Sequence, residues 1–163
     1  MKRNSRLAIL ASATAVAASG LTLNAPSALA HSESELPSIC GSSSYFIVSD
    51  SGGVGGLAKR PVTTPSGTRW GYVYLLYSNS TGRNCVVTLK TTYHGTASRT
   101  VATLWVQGGS TYTDPPNNTT EYTHYANVTG NASGRCVAYF GNIWDPKRTT
   151  LASGGRTTYG NCG

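Results

Sequence analysis

From residue 40 onward the chain alternates short apolar runs with clusters of turn-forming residues. Residues 44–49 (SYFIVS), 70–77 (WGYVYLLY), 85–92 (CVVTLKTT), 99–107 (RTVATLWVQ), 120–128 (TEYTHYANV) and 134–140 (GRCVAYF) are rich in β-branched and aromatic residues. Such runs fit a pleated, half-buried surface and predict strands. In 99–107 the period of two puts Ala102, Leu104 and Val106 on the more apolar face and Val101, Thr103 and Trp105 on the other. The turn SNSTGRN at 78–84 separates two strand patterns and predicts a hairpin over 70–92. No helical period appears after residue 30. The pattern therefore predicts an all-β domain, a single antiparallel sandwich or barrel of six to seven short strands.

The intervals carry their own expectations. Residues 31–39 (HSESELPSI) are polar and predict a flexible tail. Residues 51–69 are punctuated by Gly and Pro and predict a long loop. Residues 108–119 predict a turn-rich connection, and 141–163 an irregular tail with a short strand near 157–159.

The N-terminus changes the compartment. MKRNSR is a basic start, Leu7 to Ala18 is apolar, and Ala28-Leu29-Ala30 is a small-x-small cleavage signature. Residues 1–30 thus predict a secretory signal peptide, with His31 first in the mature chain and 31–163 one secreted β domain. The apolar stretch is too short to span a bilayer and no later segment is apolar long enough to do so, so no membrane segment is expected after the leader's removal. Cys40 follows Ile39 and lies away from the cleavage point, which does not fit a lipid-anchored cysteine.

Four cysteines remain, Cys40, Cys85, Cys136 and Cys162, an even count in an exported chain. They predict two disulfides, with three pairings open. Cys40–Cys85 with Cys136–Cys162 is favoured, because the second bridge staples a Gly/Thr-rich tail. No C-x-x-C or H-x-x-x-H spacing points to a metal, so neither metal nor cofactor is expected.

Charge narrows the partners. The full chain carries 13 basic and 6 acidic side chains, and Lys2, Arg3 and Arg6 leave with the leader, which gives the mature domain a net charge of +4. Its basic residues are scattered, with no run longer than two. This lacks the clustered basic face of a nucleic-acid binder and leaves weak attraction to anionic wall polymers.

Several stretches resemble one family. CGSSSYFIVSDS at 40–51, YVYLLYSNSTGRNCVVTLKTT at 72–92, GTAS at 95–98, LWVQGG at 104–109 and YTHYANVTGNASGRCVAYFGN at 122–142 are similar to the spore-associated protein A family. These are small secreted proteins of filamentous actinobacteria. The resemblance implies export and association with spores or aerial hyphae. It implies no activity, so it assigns no functional residues. Val137-Ala138-Tyr139-Phe140-Gly141 departs from the acid and Trp-Gly-Gly common in that family after the third cysteine.

Few residues suit catalysis. Glu121 and Asp145 are the one pair of carboxylates suited to glycoside hydrolysis. No G-x-S-x-G elbow accompanies the serines. His124 reads as a half-buried strand residue; His31 is expected to be mobile, and with His94 a poor metal pair. Trp144 and Tyr112 are expected in loops and are the candidate ligand contacts, because exposed rings stack on sugar faces. The leading expectation is a noncatalytic secreted protein of the spore or aerial hyphal surface. The alternatives are a carbohydrate- or cell-wall-binding module, a protease inhibitor presenting the 51–69 loop, and a small hydrolase.

Overall fold

The computed structural model describes residues 31–117 and 119–163; the leader expected over residues 1–30 lies outside the described residues. Ten strands occur among them: β1 (Tyr45–Ile47), β2 (Lys59–Thr63), β3 (Arg69–Ser78), β4 (Arg83–Lys90), β5 (Ser98–Val106), β6 (Thr111–Asp114), β7 (Glu121–Tyr122), β8 (Tyr125–Asn131), β9 (Val137–Trp144) and β10 (Leu151–Gly160). All pair antiparallel, in the order β6-β5-β9-β10-β2-β3-β4-β8. The short β1 and β7 extend this order by pairing with β3 and β5. The sheet curls into a nearly closed barrel.

The count exceeds six or seven because polar and Gly/Pro-rich segments also join the ladder. β2 forms inside the expected loop at 51–69, pairing along β3 from Lys59–Tyr74 to Thr63–Arg69. Pro61 lies within it, so that position contributes no N–H to the ladder. β6 forms in the expected connection, and β10 runs through residues 151–160 of the expected irregular tail, taking in the short strand expected near 157–159. Gly154 and Gly155 let β10 pass where a Cβ would collide with the backbone of Pro61 and Tyr139.

Alternation sorts the side chains. Val73, Leu75, Val86, Leu104, Tyr139 and Ile143 fill the barrel interior. Tyr74, Leu76, Val87 and Leu89 face the other way, yet they are also buried. Sequence pattern explains this: β3 and β4 are apolar on both faces, so their outer face needs a cover.

The cover is the N-terminal segment. A 3-10 turn (Glu33–Glu35) runs into one helical turn, α1 (Leu36–Ile39), and Leu36 is fully buried on β3 and β4. The Cys40–Cys85 disulfide fastens this segment to β4, and Asn127 on β8 donates to the Ile39 carbonyl at 3.1 Å. Residues 31–39 are thus an ordered part of the domain, contrary to the flexible tail expected from their polarity. Cys136–Cys162 ties the chain end to the approach to β9, so both favoured pairings are present.

Where the barrel lacks ladder bonds, between β6 and β8, side chains bridge. Asp114 on β6 accepts from the Asn127 backbone N–H at 3.2 Å and from the Tyr122 hydroxyl at 2.8 Å.

Candidate functional site

The chemistry-bearing residues converge at one end of β4. Lys90, the last residue of β4, is fully buried, and its Nζ donates to Thr96 O (2.7 Å), Ser98 Oγ (2.8 Å) and Tyr122 O (2.9 Å). Those bonds hold the turn at 91–97 against the corner between β7 and β8. Gly95 N–H adds a bond to Thr123 O at 2.9 Å, and Lys90 N–H one to His124 O at 3.0 Å. Burial pushes the Lys90 ammonium down to about 8, partly offset by Glu121.

This frame presents His94 from the turn and His124 from the corner. His124 Nδ1 lies 3.0 Å from His94 Nε2, with one imidazole donating to the other. His31, carried in by the N-terminal segment, packs its ring edge-on against both, with centroids 5.2 Å from His124 and 5.8 Å from His94. One ligand nitrogen from each of the three lies within 4.8 Å of the others. Tyr122, Thr123, Tyr125 and Asn127 line the same open depression with His31 and His124.

The proton positions follow from the neighbours. Backbone bonding from Ser32, then the His31 ring, hold the Glu35 carboxyl below its ordinary range. Glu35 is therefore ionised and only accepts, so His31 Nδ1 donates to its Oε1 at 3.2 Å. In a neutral ring bonded this way, the lone pair is on Nε2. Burial, reinforced by His124, His31 and Lys90, lowers His94 and keeps it neutral. His94 Nδ1 is buried and has no hydrogen-bond partner among the described residues.

Sequence reading makes His31 and His94 a poor metal pair, leaves His124 as a half-buried strand residue and assigns no metal. The structure brings all three together. The missing information was tertiary: β4 pairs with β8, which sets the two ends bearing His94 and His124 side by side.

The other sequence candidates stand elsewhere. Trp144 closes β9 instead of lying in a loop; it is half-buried, with the Arg99 guanidinium 4.3 Å from its ring. Phe140 shares its strand face, and Trp105 on neighbouring β5 lies 6.2 Å from Phe140, ring to ring. Tyr112 lies on β6, also not in a loop. Its ring packs so closely on Gly130 that a Cβ there would overlap it. It also lines a shallow depression with Ser110, Asn131, Ser133 and Arg135.

The two carboxylates considered for hydrolysis are occupied. Glu121 accepts from Arg148 at 2.9 Å. Asp145 accepts from Thr149 N–H (2.7 Å), Thr150 N–H (2.6 Å) and Lys147 N–H (3.2 Å), bonds led by Thr150 that keep it ionised. In the 51–69 segment, Lys59 pairs with Glu33 and Arg60 with Asp50, so neither of these two side chains projects as a bait. Comparison with family models, with curated proteins and with solved structures finds no match for this chain.

Proposed function

We propose that this chain is a noncatalytic protein of the cell exterior that holds a wall or spore-surface polymer on the outer face of β5 and β9. The observation that carries this reading is the outward row formed by Trp105, Phe140 and Trp144. Their neighbours Leu104, Tyr139 and Ile143 fill the barrel interior, so alternation turns the three rings outward. The Arg99 guanidinium on Trp144 supplies a polar edge, as does Asn142, which accepts from Ser153 at 2.8 Å. Ring faces beside hydrogen-bonding groups suit the apolar faces and hydroxyls of sugar rings.

The engagement of the acids supports the noncatalytic part. Asp50, Asp114, Asp145, Glu33, Glu35 and Glu121 make up the six acids of the chain, and each is bonded within the fold. Two disulfides accord with an oxidising exterior. The leader pattern supports export, and the resemblance of residues 40–142 to the spore-associated protein A family supports spores or aerial hyphae as that exterior.

Co-sedimentation with intact spores, hyphal walls and plain polysaccharides, at low and high salt, tests the reading. Saturable pelleting is expected to survive high salt and to weaken about tenfold or more in Trp144→Ala and Trp105→Ala. No pelleting, or pelleting abolished by salt, overturns it; the latter reduces the contact to a net charge of +4 on an anionic polymer.

A further inference from the structure

We propose that His31, His94 and His124 form a three-imidazole site for a divalent transition-metal ion of the zinc and copper class. The geometry is close to what such an ion requires. Two nitrogens bound tetrahedrally at about 2.0–2.1 Å lie roughly 3.3 Å apart. The His94 and His124 nitrogens already lie 3.0 Å apart, and the third is within 4.8 Å of both. Small turns of half-buried rings close the difference.

A second feature points to a ligand, the Glu35–His31 pair. A carboxylate that accepts from one ring nitrogen fixes the tautomer and aims the other lone pair, as outer partners of metal-bound histidines do.

The donor set selects the ion. Imidazole nitrogens suit zinc and copper, whereas magnesium and calcium prefer oxygen. The three residues leave a coordination position for water or a donor from outside the chain. Lys90 positions the site without touching the ion, because it ties the turn bearing His94 to the corner bearing His124. His31 arrives on the segment that covers β3 and β4, so the ion would also latch that segment to the barrel.

The test uses protein recovered from the medium of an expressing host, stripped with chelator and titrated with Zn2+, Cu2+ and Mg2+ separately. One equivalent of Zn2+ or Cu2+ is expected to bind with Kd below about 1 µM, with no binding of Mg2+. His94→Ala and His124→Ala are expected to weaken binding at least about 30-fold, and Glu35→Gln about tenfold. A readout on the unsubstituted protein guards against misfolded variants. The chain has three histidines, so its ring 1H–15N spectrum reports these three rings and no others. Zn2+ should shift all three together and lock each in one tautomer. No stoichiometric binding, undiminished binding in the folded His94 or His124 variants, or a spectrum in which any ring stays unmoved overturns the proposal.

Discussion

Tyr139 on β9 donates its hydroxyl to Asp50 across 89 residues of sequence, at 3.1 Å. Asp50 follows β1 and also takes two bonds from Arg60 Nη2, at 2.8 and 2.9 Å, with Arg156 3.6 Å away. One 8%-exposed carboxylate thus joins β2, β9 and β10 near one another. Removing a partner from a buried ion pair costs more than the pair itself contributes, because the remaining charge is left uncompensated. Asp50→Asn is expected to lose about 3 kcal/mol of unfolding free energy in a denaturant titration. Tyr139→Phe, which keeps the ion pair, is expected to lose about 1 kcal/mol.

The same carboxylate sets an acid limb. Burial raises Asp50, but the bonds from Arg60, Gly52 and Tyr139 outweigh it, so its folded pKa lies below the ordinary value of 3.8. A depressed carboxylate contributes stability that is complete above the unfolded pKa and is lost as pH falls through the folded one. Stability measured by chemical denaturation is expected to fall below about pH 4. In Asp50→Asn that limb should flatten; an unchanged slope would assign the acid sensitivity to other groups.

Lys90 works in the opposite range. Its folded pKa of about 8 lies below the unfolded 10.5, so between them the unfolded chain binds more protons. Stability therefore rises with pH across that window, by about 2 kcal/mol from about pH 7.5 to 9.5. Lys90→Met should abolish the rise. Above about pH 10 the trend reverses, because Tyr139 and Tyr122, both pushed up to about 12 by burial, resist ionisation only in the folded chain.

The barrel seam depends on a residue with no side chain. Gly130 on β8 lies beneath the Tyr112 ring and beside Leu104. Gly130→Ala forces both to move and is expected to cost about 1–3 kcal/mol. Tyr112→Ala in the same background should then restore part of the loss. Independent, additive losses in thermal unfolding would show that the two do not share a contact.

Sequence carried the strands and faces that local pattern controls. Ala102, Leu104 and Val106 face the interior as their alternation requires, and the hairpin of β3 and β4 follows the turn at 78–84. Both disulfides formed as favoured. What local pattern missed was pairing that neighbours impose. Lys59–Thr63 reads as loop by composition, yet the exposed edge of β3 recruits it. Gly154 and Gly155 weaken β10 as a sequence signal, although close backbone approach is what requires them. The histidine cluster is the extreme case, since its members come from three segments that the β4–β8 pairing and the N-terminal cover bring together.

The N-terminal cover offers a direct test of whether residues 31–39 belong to the domain. Leu36 is fully buried among Tyr74, Leu76, Val87 and Leu89, a face that would otherwise meet water. Leu36→Ala removes its contacts and leaves a cavity, which is expected to cost about 2–5 kcal/mol. Replacing Cys40 and Cys85 by Ala releases a cross-link spanning 45 residues, with an expected cost of about 4 kcal/mol in the chain-entropy model. The two changes act on different states: the leucine stabilises the folded packing, whereas the disulfide restrains the unfolded chain. Hydrogen exchange separates them. Leu36→Ala should accelerate exchange at the Cys40 and Gly41 amides, which bond to Leu36 O and Ser38 O, before global unfolding. If those amides exchange only with the whole barrel, the segment is not an independently opening cover but an integral part of the cooperative unit.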